Sequence, residues 1–241
     1  MPYCQSQTAI VIANEDPDGL SGIQIQMPWQ KEKGQTTPFV PMVQLHGGAG
    51  KGFHWIPEVG ETVFVDFQGG NAEMPIVMGT MTNRNEKSGY STPNNDFKVM
   101  RTRSGILIVY NDADGSFLIQ DPSGSQYFMD GKGNIKLLAT KNIEIEAGEN
   151  IVLKAGNDIE FSAGRNIEQI ADQDININAK GNITEFGDNK TENITDEYIR
   201  NSQESTQFAD KVTILSTTEN MLLESTQKTV EINSGEKSNL F

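Results

Sequence analysis

Asn134-Ile-Lys-Leu-Leu-Ala-Thr-Lys141, Asn142-Ile-Glu-Ile-Glu-Ala-Gly-Glu149 and Asn150-Ile-Val-Leu-Lys-Ala-Gly-Asn157 are consecutive copies of one eight-residue pattern. The opening Asn/Asp-Ile pair recurs at 134, 142, 150, 158, 166, 174 and 182. A fixed short period means one small unit stacked on copies of itself. Within each unit the second, fourth and sixth positions are mostly apolar or small, which is the period-two alternation of a strand with one buried face. The sixth position is Ala at 139, 147, 155, 163, 171 and 179, a small side chain suited to a crowded corner. Gly148, Gly156 and Gly164, with the recurring Asn or Asp, supply turn chemistry between strands.

Five extended residues span about 17 Å, one side of a small prism, so one octad cannot close a turn. Two closures fit the pattern. Three octads of one chain form the sides of a coil, or three chains each contribute a side around a shared axis. Periodicity alone leaves both open. The side chains expected inside are Ile135, Leu137, Ile143, Ile145, Ile151, Leu153, Ile159, Phe161, Ile167, Ile175, Ile177 and Ile183. Gln169 and Glu185 break the fourth-position rule. Around a threefold axis a ring of Gln can hydrogen-bond, whereas a ring of Glu repels unless protonated, hydrated or bound to a cation. A local register shift or admitted water is the alternative at both positions.

The 241 residues allow one large or two ordinary domains. Residues 1 to 103 carry 8 Lys/Arg against 10 Asp/Glu, and residues 104 to 241 carry 11 against 23, so the repeat half holds −12 of the net −14. Such an acidic surface disfavours nucleic acid and anionic lipid headgroups as partners, and it keeps a strand-rich rod from aggregating sideways. Cys4 is the one cysteine, so no intrachain disulfide forms and no oxidising compartment is needed. Neither a membrane-length apolar run nor a basic start followed by an apolar signal core is found. The expectation is folding in the cytosol and, where the protein leaves, export without a cleaved signal. Glycosylation sequons at 182, 189 and 193 carry no weight, because the repeat consensus generates them.

The front of the chain differs. Short apolar runs at 8–13, 22–27, 40–45, 61–67 and 75–81 are separated by Gly, Pro, Asp and Asn clusters, the pattern of a small antiparallel barrel or sandwich without helical periodicity. Four stretches within it are Asn14-Glu-Asp-Pro-Asp-Gly-Leu20, Gly22-Ile-Gln-Ile-Gln-Met-Pro-Trp29, Ile56-Pro-Glu-Val-Gly-Glu-Thr-Val-Phe-Val-Asp-Phe67 and Pro75-Ile-Val-Met-Gly-Thr-Met-Thr-Asn83. In order and spacing they resemble the OB-fold spike domain of VgrG proteins and of tail-spike proteins of contractile phages. The resemblance covers about residues 8 to 83, and the octads behind it look like that family's triple-stranded β-helix.

The resemblance implies an all-β chain: an OB-fold barrel over 1–83, a linker over 84–103, and an intertwined homotrimeric β-helix, or β-prism, over 104–241. Within the last part the octads are regular over 134–189 and irregular over 190–211. The glycines at 105, 115, 124 and 133 read as wider first courses of the same helix, and a nine-residue beat resumes at 212, 221 and 230. The resemblance further implies a hub-like domain or chain on the N-terminal side, an inner-tube protein, effectors, and a PAAR-type cap at the C-terminal end, with Leu240 and Phe241 as cap contacts. Departures exist: Glu58 stands where relatives often have a basic residue, 70–73 is Gly-Asn-Ala-Glu, and no hub domain precedes the barrel. The last suggests an excised fragment or a hub carried on a separate chain.

Several tempting chemistries do not survive inspection. Gly47-Gly-Ala-Gly-Lys-Gly52 lacks the spacing and the Ser/Thr of a phosphate loop, so a hairpin loop is expected there. His46 and His54, the only histidines, lack a third ligand for a metal and cannot form a His-x-His iron tip. Acid pairs such as Asp172/Asp174 and Glu144/Glu146 fall at outward repeat positions, where a solvated face places its charges, so a glycosidase pair is disfavoured. No catalytic, cofactor-binding or metal-binding residue is assigned. The expected function is a non-enzymatic, membrane-puncturing spike of a contractile injection machine that transmits force through a rigid shaft. Seven octads stacked at 4.8 Å make about 34 Å of it. The alternatives are a carbohydrate-active or adhesive β-helix of phage tailspike type and a monomeric solenoid binding module.

Overall fold

The computed structural model describes residues 4–233. It divides into two compact units between Asn157 and Asp158. Among the described residues the chain is all-β apart from one helical turn, Pro28–Lys31 (α1), and a single 3-10 turn, Gln68–Gly70. α1 carries Pro28 in its first turn, where its missing N–H costs nothing.

In the first unit, β1 (Gln7–Ala13), β2 (Gln24–Gln26), β5 (Thr62–Phe67) and β6 (Pro75–Thr80) form an antiparallel sheet in the order β2-β1-β5-β6. Alternation sets its inner face: Ala9 and Val11 of β1 and Val63, Val65 and Phe67 of β5 are buried. Ala9 pairs with Val63, and Val11 with Ile25. Register shifts between Val11 and Ala13 and between Phe64 and Val65 bend the sheet. The segment at 40–43 closes it, because Val40 bridges Ile23 near β2 while Met42 bridges Val77 of β6, at opposite edges of the sheet. A closed barrel leaves no free edge.

The core consists of Ala9, Val11, Ile23, Ile25, Met27, Val40, Val63, Val65, Phe67 and Val77, with Cys4, Met42 and Ile56 packed against it. Its two buried polar side chains are satisfied. The Thr37 hydroxyl accepts from the Ile25 N–H at 3.1 Å, and Gln30 Oε1 accepts from the Met27 N–H at 2.9 Å. β3 (Gly47–Gly48) and β4 (Lys51–Gly52) make a small exposed hairpin. A Cβ on Gly52, at φ +111°, would collide with the His46 carbonyl, so the glycine is required.

A second antiparallel sheet follows in sequence order: β7 (Phe97–Arg101), β8 (Leu107–Asn111), β9 (Ser116–Gln120), β10 (Gln126–Met129) and β11 (Ile135–Leu138). The interval 84–103, expected as a linker, thus contains β7, whose Phe97 to Arg101 pair with β8. The strands around the glycines at 105, 115, 124 and 133 pair within one chain as a meander rather than as the first courses of a helix. Its last two turns share one chemistry. Asp121 Oδ1 accepts from the N–H groups of Ser123 and Ser125, Asp130 Oδ1 from those of Lys132 and Asn134, and Gly124 and Gly133 follow at positive φ. The nearest-fitting aromatic pair, Tyr110 and Phe117, joins β8 to β9 with ring centroids 4.9 Å apart. No residue of the five strands is fully buried.

After β11 the described chain is extended but forms no further strand, and every residue from Lys141 to Asn233 is exposed. Among the described residues, all ten buried hydrophobics lie between Ala9 and Val77.

Candidate functional site

The octad ladder is the largest candidate surface. Ile135 and Leu137 sit on β11, and the rest of the expected inner set lies on the extended chain beyond it. Exposure repeats with the octad: 53% for Ile143, Ile151 and Ile175, 49% for Ile159, and 66% for Phe161 at a fourth position. An apolar side chain half open to water at every second residue is a strand face without its cover. Of the apolar fifth positions, Ile170 is 81% and Phe186 95% exposed, whereas Leu138 on β11 is 40% exposed. Sequence reasoning expects these second- and fourth-position residues inside. It missed Lys190, whose ammonium pairs with the carboxylate of Glu185 and, at 2.8 Å, with that of Glu192. The available signal was its place, eight residues after Asn182 in the Asn/Asp slot. Leu240 and Phe241, the expected cap contacts, lie outside the described residues.

A second candidate lies in the first unit, where the barrel meets the meander. An open cleft of about 940 Å³ is lined by residues that include Trp55, Pro57, Val59, Tyr90 and Arg101. Two links hold its walls. Asn14 Nδ2 donates to the Pro57 carbonyl at 2.9 Å, and Arg103 pairs with Glu58 at 3.2 Å. The acid at 58, noted as a departure from the VgrG pattern, therefore has a partner of its own. Arg101 Nη1 also donates to the Tyr90 hydroxyl at 3.2 Å.

The remaining polar groups serve structure. Asp66 accepts from the Ser6 hydroxyl at 2.7 Å, which with the Phe67 N–H holds its carboxyl below the usual range. Asp114, Asp121 and Asp130 are likewise held low, first by side-chain hydrogen bonds from Ser116, Ser123 and Asn134 respectively. Their carboxylates accept turn N–H groups, which is work for a charge acceptor and not for an acid catalyst. His54 Nδ1 lies 3.2 Å from the Ser21 hydroxyl beside the hairpin. Among the described residues no group of three or more His, Cys, Asp or Glu is placed to hold a metal, and no helix is long and apolar enough to cross a membrane.

Residues 7–81 match the family described as the type VI secretion system/phage-baseplate injector OB domain. Over 83 residues the chain is 30% identical to two proteins of Pseudomonas aeruginosa, the type VI secretion system spike proteins VgrG2a and VgrG2b. The matched part is 33% of this chain, and the chain covers 10% and 8% of those two proteins. The likeness to VgrG-type spikes drawn from the four motifs is borne out, and the closed barrel falls within the stretch that matches this injector OB domain family.

Proposed function

We propose that this chain is the barrel and shaft of a VgrG-like spike in a contractile injection machine of the type VI secretion kind. Three copies wind their octads about one axis into a triple-stranded β-helix, with domains at 1–83 and 104–241 and a connecting stretch between. The role is mechanical and non-enzymatic. Sheath-driven force passes along the shaft to a target membrane, and backbone hydrogen bonds between stacked courses resist it. The barrel end faces a hub and inner tube, and the far end takes a PAAR-type cap and effectors. Assembly takes place in the cytoplasm on a baseplate, followed by injection without a signal peptide.

One observation carries this reading: isoleucines half exposed at a strict eight-residue beat, in a chain whose front matches an injector OB domain. A single extended chain would leave those side chains and its backbone N–H and C=O groups to water, and packed copies give both a partner. The chain mass is 26.5 kDa. Sedimentation equilibrium at micromolar concentration should return about three times that value, and a monomer would sink the proposal. Turnover of any member of a polysaccharide panel would sink its non-enzymatic part.

A further inference from the structure

The octad beat ends at a charge. Residue 190 stands where seven preceding octads open on Asn or Asp, and it is lysine. Its Nζ pairs with the carboxylate of Glu185 and lies 2.8 Å from Glu192 Oε1. Two carboxylates, Glu185 first, hold the ammonium above its usual range. Arg200 acts on Glu192 at longer range and completes the local set of charges.

Glu185 occupies the fourth position of its octad, on the side that carries Phe161 and Ile177 in octads before it. The strand could escape a buried carboxylate by turning over and placing Phe186 inside. The exposures run against such a turnover. Ile183 is 61% exposed, close to Ile167 at 59%, while Phe186 is 95% exposed. Glu185 therefore stays on the ladder side. Three unpaired carboxylates about one axis would repel and lose hydration, a cost that paired counter-charges offset.

We infer that Lys190 neutralises Glu185 in each of three copies, so that the regular octads end in a layer of three Glu185–Lys190 ion pairs that only an in-register assembly of this chain completes. This rests on the proposed three-chain shaft. Polar groups placed once within an apolar seam are known to specify register, because a slipped chain strands the charge against apolar neighbours. Here a slip of one octad would set Glu185 beside Ile177 of another copy.

The test uses the full chain, with oligomeric state and melting measured separately. Lys190→Met should remain trimeric yet melt lower at pH 7 by about 5 °C or more. Lys190→Arg should keep the wild-type melt. The double variant Glu185→Ile with Lys190→Met should match or exceed wild type, because an apolar layer replaces both charges. If Lys190→Met fails to assemble, the double variant decides: restored trimers support the pairing, and continued failure overturns it. A trimeric Lys190→Met with the wild-type melt also overturns it. A wild-type monomer in sedimentation instead overturns the three-chain reading itself.

Discussion

The side-chain amide of Asn14 donates a 2.9 Å hydrogen bond to the carbonyl of Pro57, tying the Asn14-to-Leu20 turn to the Ile56-Pro57 motif 43 residues later. Nearby, Glu61 Oε2 accepts from the Glu58 N–H at 3.0 Å, and the Gly60 N–H bonds the Val11 carbonyl at 2.9 Å. Two motifs that are separate in sequence thus become one corner of the barrel, and Pro57 also lines the cleft beside the meander.

Replacing Asn14 by Ala should destabilise the barrel by about 1 kcal/mol, since a part-buried carbonyl loses its donor. Thermal melting of Asn14→Ala should fall by a few degrees. An unchanged melt would mean that water serves Pro57 equally well.

Ile25 is fully buried at the centre of the barrel core. Ile25→Ala should cost about 2 to 5 kcal/mol through lost burial and the cavity left behind. Denaturant unfolding followed by Trp fluorescence would measure it, and a loss below 1 kcal/mol would place the core elsewhere.

Ile151→Asp should abolish assembly or sharply lower the melting temperature, because it sets three carboxylates on the proposed axis. Val152, the next residue, is 69% exposed, and Val152→Asp serves as the outward control that should assemble. Equal behaviour of the two in sedimentation would show that Ile151 is not axial.

The meander turns should loosen in acid. The carboxyls of Asp114, Asp121 and Asp130 are depressed below their ordinary value of 3.8 in the folded chain. A depressed folded value means that the stabilisation is complete above 3.8 and is lost as pH falls from there through the folded values. Amide exchange of the N–H groups of Ser123 and Ser125, corrected for its intrinsic pH dependence, should therefore show protection falling below about pH 4. Asp121→Asn should flatten that response, and an acid response that persists in this variant would assign it to another group.

Gly131 sits at φ +71°, and a Cβ there would strike the Asp114 carbonyl. Gly131→Ala should cost about 1 to 3 kcal/mol. The melting curve is the check, with Gly133→Ala, also at positive φ but free of such a collision, as the milder comparison.

Much of the barrel was legible because its signals are local. Four of the five apolar runs contain the residues of β1, β2, β5 and β6, since period-two burial is written into neighbouring side chains. The fifth, at 40–45, forms only bridges, at Val40 and Met42, because its partners are Ile23 beside β2 and Val77 within β6, distant in sequence from each other. β7 was hidden within a polar interval whose strand character comes from pairing with β8. The turn acids were visible as residues, but their shared role depends on backbone N–H groups converging on one carboxylate oxygen.

The sequence by itself determined the strand class and the eight-residue period, because each is set by side-chain alternation and turn residues a few positions apart, and its four motifs carried the resemblance to an injector OB domain. Tertiary structure decided what those elements meet. It closed the barrel through Ile23–Val40 and Met42–Val77 and folded 97–138 into a single-chain meander. The reason is physical: a pattern of neighbours states which face of a strand is apolar, whereas the group that satisfies that face is chosen across long loops by geometry and charge.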